Sequence, residues 1–109
     1  MILFKKTVMT LNKKCGVPVF IGEFAYPSGA MSGPFAGWNK PAKSYPTTEE
    51  GQAAIYRDVT EWGKTHGVIG SRYWAADYED WGTMGLFKFE NKHGSPKLVC
   101  KGKNNLHPF

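Results

Sequence analysis

Cysteine is scarce in this sequence, and the two that occur, Cys15 and Cys100, lie far apart with no CxxC spacing, which argues against a zinc site built on them. They read as free, buried thiols, with a disulfide between them the other reading. No apolar run approaches the length of a membrane span. MILFKK at the N-terminus sets three apolar residues before lysines, too few for a signal-peptide core, so the chain is expected to carry no address. The three histidines, His66, His93 and His107, form no HExxH or paired pattern and read as surface residues. DxDxDG is absent, as are a Walker loop, a dinucleotide fingerprint and a GxSxG elbow, so neither a metal nor a cofactor is expected. No run of Lys or Arg is interleaved with stacking aromatics. The net charge of +5 therefore reads as solvated surface, and nucleic acid is not an expected partner.

Aromatic residues are what the chain has in excess. Four Trp, five Tyr and seven Phe make 15% of its 109 residues, more than one small core requires, and spare aromatic faces commonly hold flat, partly apolar ligands. The length fits one domain.

Phe4, Val8, Leu11 and Cys15 recur on one helical face, predicting a helix to about Lys14 that ends at Gly16. Val17 to Tyr26 is nearly all apolar and predicts a strand covered on both faces, as in a parallel sheet. Pro27 to Pro46 reads as a long loop carrying Phe35, Trp38 and Tyr45. Thr47 with Glu50 makes a capping box for a second helix, whose Ile55, Val59 and Trp62 share a face and which closes at His66 and Gly67. VIGSRYWAA is a second buried strand. DYEDWGTMGLF is another long loop, KFENKHGSPK a turn, LVCKGK a short terminal element, and NNLHPF a frayed end. This order, with no hairpin signal, is that of an α/β protein with a parallel sheet.

Polar and aromatic residues gather at the C-terminal ends of both strands: Glu23 and Tyr26 on the first, and Tyr73, Trp74 and Asp77 on the second. Ligands of α/β sheets and β/α barrels bind at that edge. Strict alternation would place Val19, Ile21 and Glu23 on one side, the interior side in a barrel, where partial desolvation raises a carboxylate's pKa and suits it to nucleophilic or basic work. The competing reading is a structural salt bridge from Glu23 to Arg72 or a rim lysine. Local pattern leaves the two even.

PVFIGEFAYPSG, then YPTTEEGQAAIYRDV, GSRYWAADYEDW and GLFKFENKHG, resembles the C-terminal portion of glycoside hydrolase family 53, the arabinogalactan endo-β-1,4-galactanases. Glu23, Ala25, Tyr26 and Pro27 match the family's strand end. Tyr45, Pro46, Thr48, Glu50, Gly51 and Gln52 match its helix entry, Tyr73 and Trp74 its next strand, and Gly85, Leu86, Phe87 and Phe89 its following turn. The resemblance implies the C-terminal part of a (β/α)8 barrel, with residues 1–109 supplying about strands seven and eight with flanking helices, six N-terminal strands being absent. Such a piece would begin inside helix six, with Met1 an internal methionine.

The implied chemistry is retaining hydrolysis of β-1,4-galactan, with Glu23 as nucleophile and Trp74 as the platform under the sugar. Tyr26 would hydrogen-bond the nucleophile or line the cleft, with Tyr73, Asp77 and Trp38 as further sugar contacts. The family's acid/base glutamate follows strand four and is not in this sequence, so the chain alone is expected to have little or no activity. Asp77, Glu79 and Asp80 read as a solvated acidic turn, not a replacement acid. The family is mostly secreted. Three other readings accompany this one: a non-catalytic sugar binder using Trp38, Trp74, Trp81 and Tyr26; a structural piece that associates through exposed sheet edges; and a related endoglucanase or mannanase, which also carries a nucleophilic Glu on strand seven and a Trp on strand eight.

Overall fold

The computed structural model describes residues 2–91 and 93–101. Expectations for the side chains of Trp81 and Cys100, for His107 and for the NNLHPF tail lie outside the described residues. In chain order the elements are α1 (Ile2–Cys15), β1 (Val19–Phe24), α2 (Glu49–Lys64), β2 (Val68–Tyr73), β3 (Phe87–Glu90), β4 (His93–Pro96) and α3 (Leu98–Lys101), with 3-10 turns at Gly33–Asn39 and Glu79–Met84. β1 and β2 form a parallel pair joined by α2. The result is a small α/β domain of three helices and two two-stranded sheets among the described residues.

α2 begins at Thr48, whose side chain accepts a hydrogen bond from the Gly51 N–H, so the cap lies one residue beyond the expected Thr47. Gly51 is buried so tightly that a methyl group there would overlap the Pro46 carbonyl. The buried stripe of α2 is Gln52, Tyr56, Val59 and Gly63, spaced i, i+4, i+7 and i+11. Ile55 and Trp62, expected on the inward face, are only half-buried at its flank. Tyr56 joins Leu86 and Val99 in the main core, with Phe24 and Tyr73 from the two strand ends packed against them. The core thus lies directly beneath the strand tips.

Three expectations are corrected. On α1, Phe4 packs on Trp62 and Val8 is buried, but Leu11 is 47% exposed and Cys15 is a free, exposed thiol. α1 rests chiefly on β1 and on Trp62, so its second half has little to pack against. The β1–β2 sheet is covered on one face only: Phe20 is 51% and Ile69 70% exposed. Finally, KFENKHGSPK is a hairpin, with Phe87 opposite Pro96 and Glu90 opposite His93. Asn91 takes a positive φ of 49° at its turn, a conformation Asn tolerates better than most residues; the hairpin lacks alternating apolar residues, because β4 is wholly exposed. Lys88 on β3 pairs with Glu49 at the start of α2, and that contact holds the Glu49 carboxyl below its ordinary range.

Candidate functional site at the strand tips

Pairing between β1 and β2 contains two irregularities that cancel. Val19 opposes Val68, but Phe20 opposes Gly70, so Ile69 is the extra residue on β2. Ile21 opposes Ser71 and Phe24 opposes Tyr73, so Gly22 and Glu23 together face Arg72 alone. Two residues against one is a β-bulge, which re-aims side chains and recurs beside functional sites. Its effect is visible in burial: Ile21 is buried and Phe24 packs against Tyr56 and Tyr73, whereas Glu23 is exposed. The grouping of Glu23 with Ile21 that strict alternation required is therefore broken.

Glu23 opens onto a cleft of roughly 500 Å³ that Tyr26, Pro27, Trp38, Trp74 and Met84 also line. Trp74 reaches it because its N–H donates to the Phe24 carbonyl (2.9 Å), carrying the ladder one step past β2 before Ala75 turns the chain at φ 54°. Trp38, 49% exposed, sits in the Gly33–Asn39 turn with its ring centroid 5.2 Å from that of Phe35. That turn is clamped. The Asn39 amide accepts from the Met31 N–H (2.6 Å) and donates to the Met31 carbonyl (2.8 Å).

Tyr26 is buried, and its hydroxyl donates to the Tyr45 carbonyl (2.6 Å) while accepting from the Ala42 N–H (2.8 Å). It pins the far end of the long loop and is not bonded to Glu23. Tyr45 in turn donates to Asp58 on α2 (2.7 Å), an acceptor bond that pushes the Tyr45 phenol up to about 12. Tyr73 lies behind the cleft. Its ring packs on Phe24 and Tyr56, and its hydroxyl accepts from the Tyr26 N–H (3.1 Å) and lies 2.9 Å from the carbonyls of Tyr26 and Met84. Asp77 is exposed on the following turn, outside the cleft lining. Glu23 makes no ion pair among the described residues, and Arg72 is exposed, so the salt-bridge reading is not realised.

Two buried polar side chains to which sequence reasoning gave no role at the site hold the cleft's floor. Gln52 is fully buried, and its Nε2 lies within 2.8–3.2 Å of the carbonyls of Tyr26, Thr83, Met84 and Gly85. Lys97, 3% exposed, sends Nζ to the Gly85 carbonyl (2.7 Å), Ser28 Oγ (2.9 Å) and the Thr83 carbonyl (3.3 Å). Together they gather the 82–85 turn under the tip of β1 and so fix Met84 in the lining. A signal for Gln52 was present: it shares the helical face of Tyr56, Val59 and Gly63. Lys97 gives no such signal, because a lysine in a polar tail reads as solvated.

Glu23 is the one carboxylate lining the cleft among the described residues. No group of three or more His, Cys, Asp or Glu side chains is placed to hold a metal ion among them, and none of their helices is long and apolar enough to cross a membrane. Comparisons with protein-family models, curated proteins and solved structures find no match for this chain.

Proposed function

We propose that this chain carries the nucleophile half of a retaining glycoside hydrolase of the endo-β-1,4-galactanase type, and that it is the strand-seven and strand-eight part of a (β/α)8 barrel. The observation that carries the reading is the joint lining of one cleft by Glu23, Trp74 and Trp38 at the C-terminal ends of two parallel strands. An exposed carboxylate beside indole faces can attack an anomeric carbon while the sugar ring rests on a flat apolar surface. Leaving-group departure yields a covalent glycosyl-enzyme, which water then hydrolyses. Water attack and leaving-group protonation both require a second carboxyl about 5–5.5 Å away, and the cleft lining offers none among the described residues. The chain by itself therefore binds galactan without turning it over, and catalysis requires a partner segment that supplies the acid/base. The outer edges of β1 and β2, unpaired among the described residues, are where such strands would join.

The test joins this chain to the six-strand N-terminal part of an endo-galactanase and measures reducing ends released from galactan. Release that disappears in Glu23→Gln is expected. Equal release by the two proteins would remove Glu23 from the nucleophile role. On the unfused chain, galacto-oligosaccharide should quench tryptophan fluorescence, and Trp74→Ala should weaken that quenching. Quenching by galactan with no turnover in any fusion would favour the sugar-binding reading.

A further inference from the structure

A second groove, of about 810 Å³, runs between α1 and the turn from α2 to β2. Its lining includes Lys5, Lys6, Met9, Lys13 and His66, and no Asp or Glu among the described residues. α1 itself, ILFKKTVMTLNKKC, contains four lysines and no acid. The overall +5 charge is modest, but here it is concentrated and of one sign.

The groove's walls are tied together. Val19 N–H donates to the Gly67 carbonyl (2.9 Å), Asn12 Nδ2 donates to the Val17 carbonyl (3.2 Å), and Gly67, at φ 77°, lies against the Asn12 amide, which would have to move for a side chain there. Lys5 Nζ is held 5.5 Å from the centroid of the Trp62 ring, which also meets Phe4 at 5.8 Å and stacks on His66 at 4.4 Å. One cation is therefore already positioned before any partner arrives, which reduces the ordering cost of binding. Met9, 52% exposed, adds a soft apolar contact of the kind that accepts varied side chains.

We infer that this groove docks an acidic peptide segment of a partner protein, one whose Asp or Glu residues meet the lysines while an apolar side chain rests on Met9. Met9 is the one apolar side chain in the lining among the described residues, too little to insert into a lipid surface. Sugars and single-stranded nucleic acid are held by stacking on aromatic faces, and the Trp62 ring is covered by Phe4, Lys5 and His66. What remains is charge complementarity with a short apolar anchor, a combination that steers association and sets register.

The probe is a fluorescein-labelled peptide of about 12 residues alternating Glu with Leu and Phe, followed by anisotropy on the whole chain. Saturable binding at about 50 mM salt, weakened about tenfold by 300 mM salt, is expected. Lys13→Glu should reduce affinity several-fold, and Lys5→Glu with Lys13→Glu by about tenfold or more, whereas Lys14→Glu, outside the lining, should have a much smaller effect. Met9→Asp should weaken binding in the same way, and circular dichroism verifies that each variant keeps its fold. Glu23→Gln should leave it unchanged, which separates this site from the strand-tip cleft. Equal effects at Lys13 and Lys14 would overturn the inference. So would equal binding of a polyglutamate peptide or of a single-stranded oligonucleotide, since either would mean a general polyanion surface.

Discussion

Tyr73→Phe and Gln52→Met, made singly and together, test whether the strand tips are held by a shared hydrogen-bond system. Tyr73 has one hydroxyl proton for two carbonyls, Tyr26 and Met84, each 2.9 Å away, and the Gln52 amide reaches the same two at 2.8 and 3.2 Å. Thr83 and Gly85 carbonyls have other donors, the Ser28 N–H and Lys97 Nζ. Removing the Tyr73 hydroxyl therefore strands only the Tyr26 N–H, because the two Gln52 protons cover both carbonyls. That costs about 1–3 kcal/mol for one buried orphan. Removing the Gln52 amide strands one carbonyl, but it also eliminates Gln52 Oε1, which is itself buried without a partner, so the net cost is nearer 1 kcal/mol, about one lost hydrogen bond.

With both gone, both carbonyls and the N–H lose their donors or acceptor. The double variant should then be less stable than the sum of the singles by about one further orphan, roughly 1–3 kcal/mol. Urea unfolding of the four proteins, monitored by far-ultraviolet circular dichroism, measures the difference. Additivity within about 0.5 kcal/mol would refute the shared-donor account.

Thr48→Ala should cost about 1 kcal/mol through loss of the helix cap, and Thr47→Ala less than about 0.5 kcal/mol; the reverse order in urea melts would put the cap back at Thr47. Gly51→Ala should destabilise by about 1–3 kcal/mol despite alanine's better helix propensity, because the methyl group meets the Pro46 carbonyl, and a gain in stability would show that the loop yields there. The Tyr45 phenolate, followed as the 295 nm absorbance difference between wild type and Tyr45→Phe, should appear near pH 12, and Asp58→Asn should move it back toward about 10. Because the folded phenol holds its proton more tightly than the unfolded one, the stability it adds is complete below about pH 10 and is lost as pH rises toward 12. A wild-type midpoint near 10 would remove the bond to Asp58.

Much of the backbone was legible from local chemistry. The first helix, both parallel strands and the second helix follow from periodicity and turn residues, since those signals are short-range. What escaped depends on contacts remote in sequence. The hairpin at 87–96 has no alternating pattern, because β4 buries nothing, and it is held by pairing with β3 and by Lys88 on Glu49. Glu23, Tyr26, Trp38 and Trp74 were picked out individually, and the structure brings them to one cleft. Tyr73 was read as a sugar contact, yet its hydroxyl is turned into the core by carbonyls 11 and 47 positions away in sequence. No local pattern encodes that. Nor could composition reveal the buried amine of Lys97, whose acceptors are carbonyls of a turn 12–15 residues earlier and the Ser28 hydroxyl 69 residues earlier.

The compensating bulges of β1 and β2 give strand length an unusual meaning. Ordinarily, losing one residue from a strand turns everything beyond it inside out. Deleting Gly22 would instead leave Ile21 and Phe24 two apart, in phase for packing, while sliding the acid by up to about 3.3 Å against its tryptophan neighbour. Evolution could thus retire or restore the chemistry of this tip by a one-codon change that the hydrophobic interior hardly notices, leaving Ile69 as the single extra residue of the pair.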